Sequence, residues 1–486
     1  MSDVLKDLQP RKVFEYFEAI SAIPRGSGNE KAISDYMVQF AKNLGLEVHQ
    51  DEAYNIYIKK PASPGYEHLP AVILQGHMDM VCEKNKDTVH DFEKDGLKLF
   101  VDGDWIGAKG TTLGGDDGVA IAIQMAILSD NSLKHPALEC FMTTDEERGM
   151  TGVANMCPEY LQGKILINID NEVEGEFIVS CAGGAKAYST LSFTKEPVKA
   201  DSTVTKVTIN GLKGGHSGAE IHHERANAHI LMGRALDALR EQVTFQILKI
   251  EGGAKDNVIT RECEVWIATQ TEKQEQVQAV LKEMESIFKA EYEVQDSGIT
   301  VICENVECSE MAIDAQAANK LIDYLLVVPN GVMGNAQHIE GLVETSLNLG
   351  ILQMEEDKIR FASAVRSSVA SRKAEILARL KAVANTFGMV YEVKGDYPAW
   401  QYNNHSRIRE LAVELFEKMY GKTPKVTAIH AGLECGFIAE KCPGLDMLSI
   451  GPDLEHIHSP EERLSISSTG RIYEYVLQLL ENLVSY

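Results

Sequence analysis

Basic residues are in deficit: 47 Lys and Arg stand against 72 Asp and Glu, a formal net charge of −25. Such a surface repels a phosphate backbone and argues against a nucleic-acid partner. Long apolar runs are also missing. The most apolar stretch, Gly118 to Leu128, is too short to cross a bilayer, so no membrane partner is expected. The opening MSDVLKDLQPRK has no cationic segment leading into an apolar one, and no cleavage site. Nine cysteines occur without a single C-x-x-C pair, and an odd count in so long a chain reads as free thiols in a reducing compartment. A cytoplasmic location is expected. No G-x-S-x-G elbow follows a strand-like run, so a covalent serine mechanism is not expected.

What is present is the balance of a globular protein, 44% hydrophobic and 24% charged, in a chain of 486 residues that needs two or three domains. Helical spacing over residues 11–23 and 29–44 gives way to short β-rich runs at 71–75, 138–143 and 164–169, alternating with helical stretches. Residues 118–128 are apolar on nearly every side and predict a buried helix. The texture changes near Tyr188. Alternating strands and amphipathic helices follow, and after about residue 310 the same plan recurs, which reads as an internal duplication. Residues 395–486 return to the first texture. The expected fold is α/β. A catalytic domain with a twisted, mostly parallel sheet flanked by helices takes residues 1–187 and 395–486, and an inserted α+β lid domain takes 188–394.

Four candidate ligand clusters follow apolar β-runs. AVILQG leads into His77-Met78-Asp79, LECFMTT into Asp145-Glu146-Glu147, KILINI into Asp170, and MLSIGP towards His456 and His458. In open α/β sheets the carboxyl ends of the strands share one edge, so these groups should converge there. A fifth, Asp116, stands in TTLGGDDG just before the buried helix. Any one of them could be a turn former, a helix cap or a solvated loop. Together, two histidines and three carboxylates suit zinc, and a shared carboxylate suits a pair of divalent ions. Asp79, two residues after His77, can hold the far ring nitrogen of that histidine. Glu146 and Glu147 can both face the site only where the strand ends, with Arg148-Gly149 as the turn. One then ligates while the other moves protons, and spacing alone does not say which. His456 lies in a loop and is expected to face solvent.

The segments GHMDMV, GTTLGGDDG, TTDEERGMTG, INIDNEVEGE, LKGGHSGAEIH, HAGLECG and IGP-x5-HSPEE resemble, in order, the motifs of the di-zinc aminoacylase and carboxypeptidase-like exopeptidases, and within them the aminoacyl-histidine dipeptidases. The resemblance covers nearly the whole chain. It implies metal ligands at His77, Asp116, Glu147, Asp170 and His458, with Asp116 bridging two ions, Glu146 as base and Asp79 supporting His77. Zinc is the implied ion, and manganese and cobalt suit the same donors. It also implies a cis peptide after Asp116, and a lid whose closing brings His216 to the scissile carbonyl. Asn257, Arg366 and Gly432 fall in segments that contact substrate, with Arg366 suited to a terminal carboxylate. His216 as a turn cap and Arg366 as a lid salt bridge are the plainer alternatives. After HSG the chain reads Ala219-Glu220-Ile221, where many relatives have a nearby Pro, so the course of that loop is not carried over. The implied substrate is a small peptide, with Xaa-His dipeptides foremost, and a homodimer is compatible. Deacylation of N-acyl amino acids or tripeptide cleavage are sister activities, and a metal-binding scaffold is the non-enzymatic alternative.

Overall fold

The computed structural model describes residues 4–485. The chain divides into two compact units: Met1–Ser180 with Tyr402–Ala428 and Leu433–Tyr486, and Cys181–Gln401 with Ile429–Gly432. The second unit therefore begins before residue 188 and ends after 394. Both expected boundaries fall inside strands, Gly183–Ser192 and Val390–Tyr397, which pair with each other and cannot be divided between units.

In the first unit eight strands form one sheet. In spatial order they are Glu47–Gln50, Ile56–Lys60, Leu138–Thr143, Val72–His77, Ile165–Asn168, Asp446–Ser449, Glu176–Cys181 and Lys425–Ile429. Only the central four are parallel to one another. Glu47–Gln50 with Ile56–Lys60, Ile56–Lys60 with Leu138–Thr143, and Asp446–Ser449 with Glu176–Cys181 pair antiparallel. These central strands read as continuous apolar runs because both faces are covered, and Val72–His77 and Leu138–Thr143 are buried at every position. The helix Gly115–Ser129 packs on Val72–His77 and is buried from Gly118 to Leu128, as its apolar surface requires. A separate four-stranded antiparallel sheet joins Leu99–Asp102 and Trp105–Ala108 to the hairpin Leu454–Glu455/Arg463–Ser465. Its strands are two to four residues long, too brief for a pattern to be legible.

The second unit shows why the element plan recurs. Its principal sheet is antiparallel and contains two β-α-β-β-α-β motifs. One motif comprises Ser202–Asn210, helix Ala228–Arg240, Phe245–Gly252, Cys263–Gln270, helix Gln274–Glu291 and Thr300–Asn305. The other takes Gly183–Ser192 as its first strand, then helix Ala315–Val327, Val343–Met354, Lys358–Ser367, helix Ala370–Thr386 and Val390–Tyr397. In each motif the strand order across the sheet is fourth, first, third, second, and the two second strands meet at Glu251↔Gln353 and Gly252↔Leu352. The duplication is thus nested: the second copy borrows its first strand from in front of the first copy. A sequence scan that looks for the repeat after residue 310 misses that strand.

The first helices of the two motifs pack on each other, and Gly233 is the point of closest approach. A Cβ there would lie 2.5 Å from the Cβ of Leu325. Alanine favours an exposed helix over glycine by about 1 kcal/mol, whereas overpacking a tight interface costs about 1–3 kcal/mol. Gly233→Ala should therefore destabilise the protein by roughly 1 kcal/mol, measured as a lower urea midpoint. An unchanged or higher midpoint would mean that the helices separate freely.

Candidate metal centre

Parallel strands deliver their carboxyl ends to one edge, and the expected ligands assemble there. His77 closes its strand, Asp170 follows two residues after Asn168, and Glu146–Gly149 forms a single helical turn after Leu138–Thr143. The turn that aims Glu146 and Glu147 is made at Asp145, whose φ is 54°, and not at Arg148-Gly149. Asp145 tolerates that left-handed conformation because its carboxylate accepts hydrogen bonds from Arg148 and Thr151. His458 arrives differently from the other ligands: it rides on the loop of the hairpin Leu454–Glu455/Arg463–Ser465. His456 is exposed on the same loop.

Two sets of donor atoms share Asp116. His77 Nε2 lies 3.0 Å from Asp116 Oδ1 and 3.6 Å from Asp170 Oδ1. His458 Nε2 lies 3.2 Å from Asp116 Oδ2 and 3.0 Å from Glu147 Oε2. The two oxygens of Asp116 thus face different imidazoles, which is the geometry of a bridging carboxylate. Glu146 also lies within ligand range of His77 and Glu147. The peptide bond from Asp116 to Asp117 is cis.

Electrostatics supports a cation here. Among the described residues no lysine or arginine pairs with Asp116, Glu146, Glu147 or Asp170; only the imidazoles do. Burial, with Asp116 and Glu147 nearby, pushes the Asp170 carboxyl up to about 6. Burial holds Glu146 well above the ordinary carboxylate range, with Asp170, Glu434 and Glu147 adding to the rise. Burial also lifts nearby Glu172 to about 7. Hydrogen bonds to Asp116 and Glu147 raise His458 to about 10. So dense a set of carboxylates, with only two imidazoles facing it, is the donor set that one or two divalent ions would neutralise.

A buried scaffold holds this set in place. Asp79 faces His77 Nδ1 at 3.3 Å, and its oxygens accept the backbone N–H groups of Glu146 and Glu147 at 3.1 and 3.2 Å and the Ser27 hydroxyl at 2.7 Å. Asp79 therefore meets the His77 imidazole with both its carbonyl and its carboxylate, and clamps the turn that carries two more acids. Glu462, which sequence reasoning passed over within HSPEE, accepts the N–H groups of Leu113, Gly114, Gly115 and Asp116 at 2.8–3.3 Å. It ties the loop of His458 to the turn of Asp116. Arg25, 2% exposed, donates to the carbonyls of Met78, Asp79 and Gly114. A side chain on Gly114, whose φ is +64°, would strike that guanidinium at 2.5 Å. At Gly76 a Cβ would lie 2.5 Å from the Asp117 carboxylate. Such buried, long-range partners leave no periodic signal in a sequence.

The second unit brings a different group together. His216 Nδ1 accepts the N–H groups of Gly218 and Ala219, so it does cap its turn, and its proton must then sit on Nε2, a free donor. Arg366 donates to the Tyr397 hydroxyl at 3.0 Å, and no carboxylate pairs with it among the described residues, which removes the salt-bridge alternative. His430, bonded to Ser346 at 2.7 Å, is driven down to about 3 by burial first and then by the nearby Arg366 guanidinium. Asn257 meets this group through its carbonyl, which accepts from Ser217 N. Gly432 ends the short return segment Ile429–Gly432.

Removing Glu462 strands four buried N–H groups beside Asp116. Glu462→Ala should lower divalent-metal affinity by roughly 10–100-fold, as loss of a group that orients a ligand usually does. Chelator competition measures it, and wild-type affinity would show that the turn holds itself.

The chain is similar to known proteins along nearly its whole length. Residues 207–296, most of the first β-α-β-β-α-β motif, match the family model described as a peptidase dimerisation domain. Over 479 residues, 99% of both chains, the sequence is 37% identical to the cytosol non-specific dipeptidase of Escherichia coli. The crystal structure of the aminoacylhistidine dipeptidase of Vibrio alginolyticus superposes with a TM-score of 0.95 at 36% identity, covering 99% of each chain. Aminopeptidase PepT of Bacillus cereus shares the fold alone, at 16% identity and a TM-score of 0.57 over 98% of this chain and 99% of its own. With identity above one third over 99% of its length, the chain belongs to the M20 metallopeptidases, in the branch of these dipeptidases, and is a hydrolase of peptide bonds.

Proposed function

We propose that the protein is a di-zinc dipeptidase of the cytoplasm, with Xaa-His dipeptides among its substrates. The observation that carries the reading is Asp116, whose two oxygens face two separate ligand sets. His77 and Asp170 would hold one ion, His458 and Glu147 the other, and Asp116 both; mixed imidazole and carboxylate donors suit zinc. Two such ions lower the pKa of a water towards neutrality and polarise a carbonyl. The free thiols and the names of the two close relatives support the location and the substrate class. The matched dimerisation domain supports a homodimer.

The chain's own residues divide the remaining work. Glu146, raised in pKa by burial, takes the proton of the attacking water and passes it to the leaving amine. Asp79 keeps His77 oriented and the Glu146 turn in place. His216, neutral with its proton on Nε2, is the donor suited to the developing oxyanion. Arg366, with no acid of its own, takes the substrate's terminal carboxylate. Asn257 and Gly432 add further contacts to the peptide.

A panel of Xaa-His and other dipeptides, tripeptides and N-acetyl amino acids, run on protein reconstituted with zinc, manganese or cobalt, tests the reading. Dipeptides should be cleaved best and zinc should support turnover; preference for acylated amino acids would overturn it. Glu146→Gln should keep its metal and lose nearly all turnover, whereas a large fall in metal content would make Glu146 a ligand. His216→Ala should lower kcat and kcat/KM by similar factors, on the order of 10²–10³. A rise in KM alone would reduce His216 to a ground-state contact.

A further inference from the structure

Beneath the ligands lies a buried polar layer that the reaction above does not use. Side chains two apart on a strand share a face, so Gln75 lies under His77 and Asn168 under Asp170. Thr143 stands in register with His77 on the neighbouring strand. Gln75, Thr143 and Asn168 are at most 1% exposed. Asn168 Nδ2 donates to Gln75 Oε1 at 2.5 Å. Into this layer reaches Glu434, from the start of the helix Glu434–Lys441, with no exposed surface at all.

The hydrogen bonds of Glu434 are lopsided. Its Oε2 accepts from Gln75 Nε2 and from the Thr143 hydroxyl, each at 2.6 Å. Its Oε1 has no partner. No lysine or arginine pairs with it among the described residues. An ionised carboxylate would leave one charged oxygen bare in a sealed interior, which is far costlier than burying a neutral acid. A carboxylic acid fits: Oε2 is the carbonyl oxygen taking two donors, and Oε1 carries the proton. The titratable groups within electrostatic reach of it are His77, Asp79, Asp170 and Glu146, so acids outnumber the one imidazole. The helix segment Thr151–Ala154, packed on its own helix, offers no titratable side chain.

We infer that Glu434 is held as a neutral carboxylic acid and is a positioning residue, fixing through Gln75 and Thr143 the two strands that present His77 and the Glu146-Glu147 turn. Burial and the surrounding acids push its carboxyl from 4.5 up to about 8, in keeping with that geometry. The inference rests on the metal-centre reading above only for what is positioned; the protonation itself follows from the burial.

Glu434→Gln and Glu434→Leu, both metal-loaded, test it. Glutamine copies the neutral acid, with a carbonyl for the two donors and an amide in place of the hydroxyl; leucine satisfies neither donor. Between pH 4.5 and about 8 the folded wild type keeps a proton that the unfolded chain has released. Its stability should therefore fall with rising pH across that window relative to Glu434→Gln, and the difference should level off above it. Glu434→Leu should lose metal affinity by about tenfold or more, and Glu434→Gln should recover that loss. A stability difference that is flat with pH, a glutamine variant as weak for metal as the leucine one, or a glutamine variant that cannot fold would each overturn the inference. If the leucine variant does not fold, the pH dependence decides alone. Neither readout uses turnover, so failure of the dipeptidase reading would show in the substrate panel and leave these results untouched.

Discussion

Gathering four half-buried carboxylates at one end of the parallel strands, with only two imidazoles to face them, is the constraint around which the first unit is organised. Charge at that density is tolerated only where cations balance it or the groups stay protonated. The raised pKa of Asp170, Glu146 and Glu172 and the raised pKa of His458 are two sides of that one condition. It also explains why the surrounding acids bind backbone amides rather than basic side chains. Asp79 and Glu462 between them take six N–H groups, at Leu113 to Asp116 and at Glu146 and Glu147. Each bond fixes the backbone of a turn that carries candidate ligands, that of Asp116 or that of Glu146 and Glu147.

The glycines of TTLGGDDG and of the strand ending in His77 serve the same packing. Gly114 and Gly118 leave room for the guanidinium of Arg25, which lies under the site and binds the carbonyls that lead to Asp79 and Asp116. Gly76 leaves room for the Asp117 carboxylate, which accepts from His77 N. Precision of a metal centre comes from such supporting bonds more than from the ligands themselves.

The second unit solves a different problem: presenting positive charge without losing it to a salt bridge. Arg366 is bonded to a tyrosine hydroxyl, and the two histidines beside it are kept neutral by burial and by its own charge. A guanidinium so placed remains available to an anion. The frame that holds it is a doubled β-α-β-β-α-β motif, joined through its two second strands and sealed by helix contacts as close as Gly233 to Leu325.

Candidate ligands, and the strands that carry them, were legible in the amino-acid sequence. His77, Asp145–Glu147 and Asp170 follow apolar runs whose burial on both faces is written in their composition, and parallel strands must bring such ends to one edge. The apolar helix that follows Asp116 and Asp117 announced its burial in the same way. What depends on contacts between segments distant in the chain became visible only in the folded protein. Glu462 on the turn of Asp116, Glu434 against Gln75 and Thr143, and Arg25 under Gly114 each join segments 89 to 359 residues apart. The nested copy in the second unit was hidden likewise, because its first strand, Gly183–Ser192, is separated from its own helix by the whole of the other copy. Local pattern records which face of an element is buried; which distant group meets that face is settled only when the chain has closed on itself.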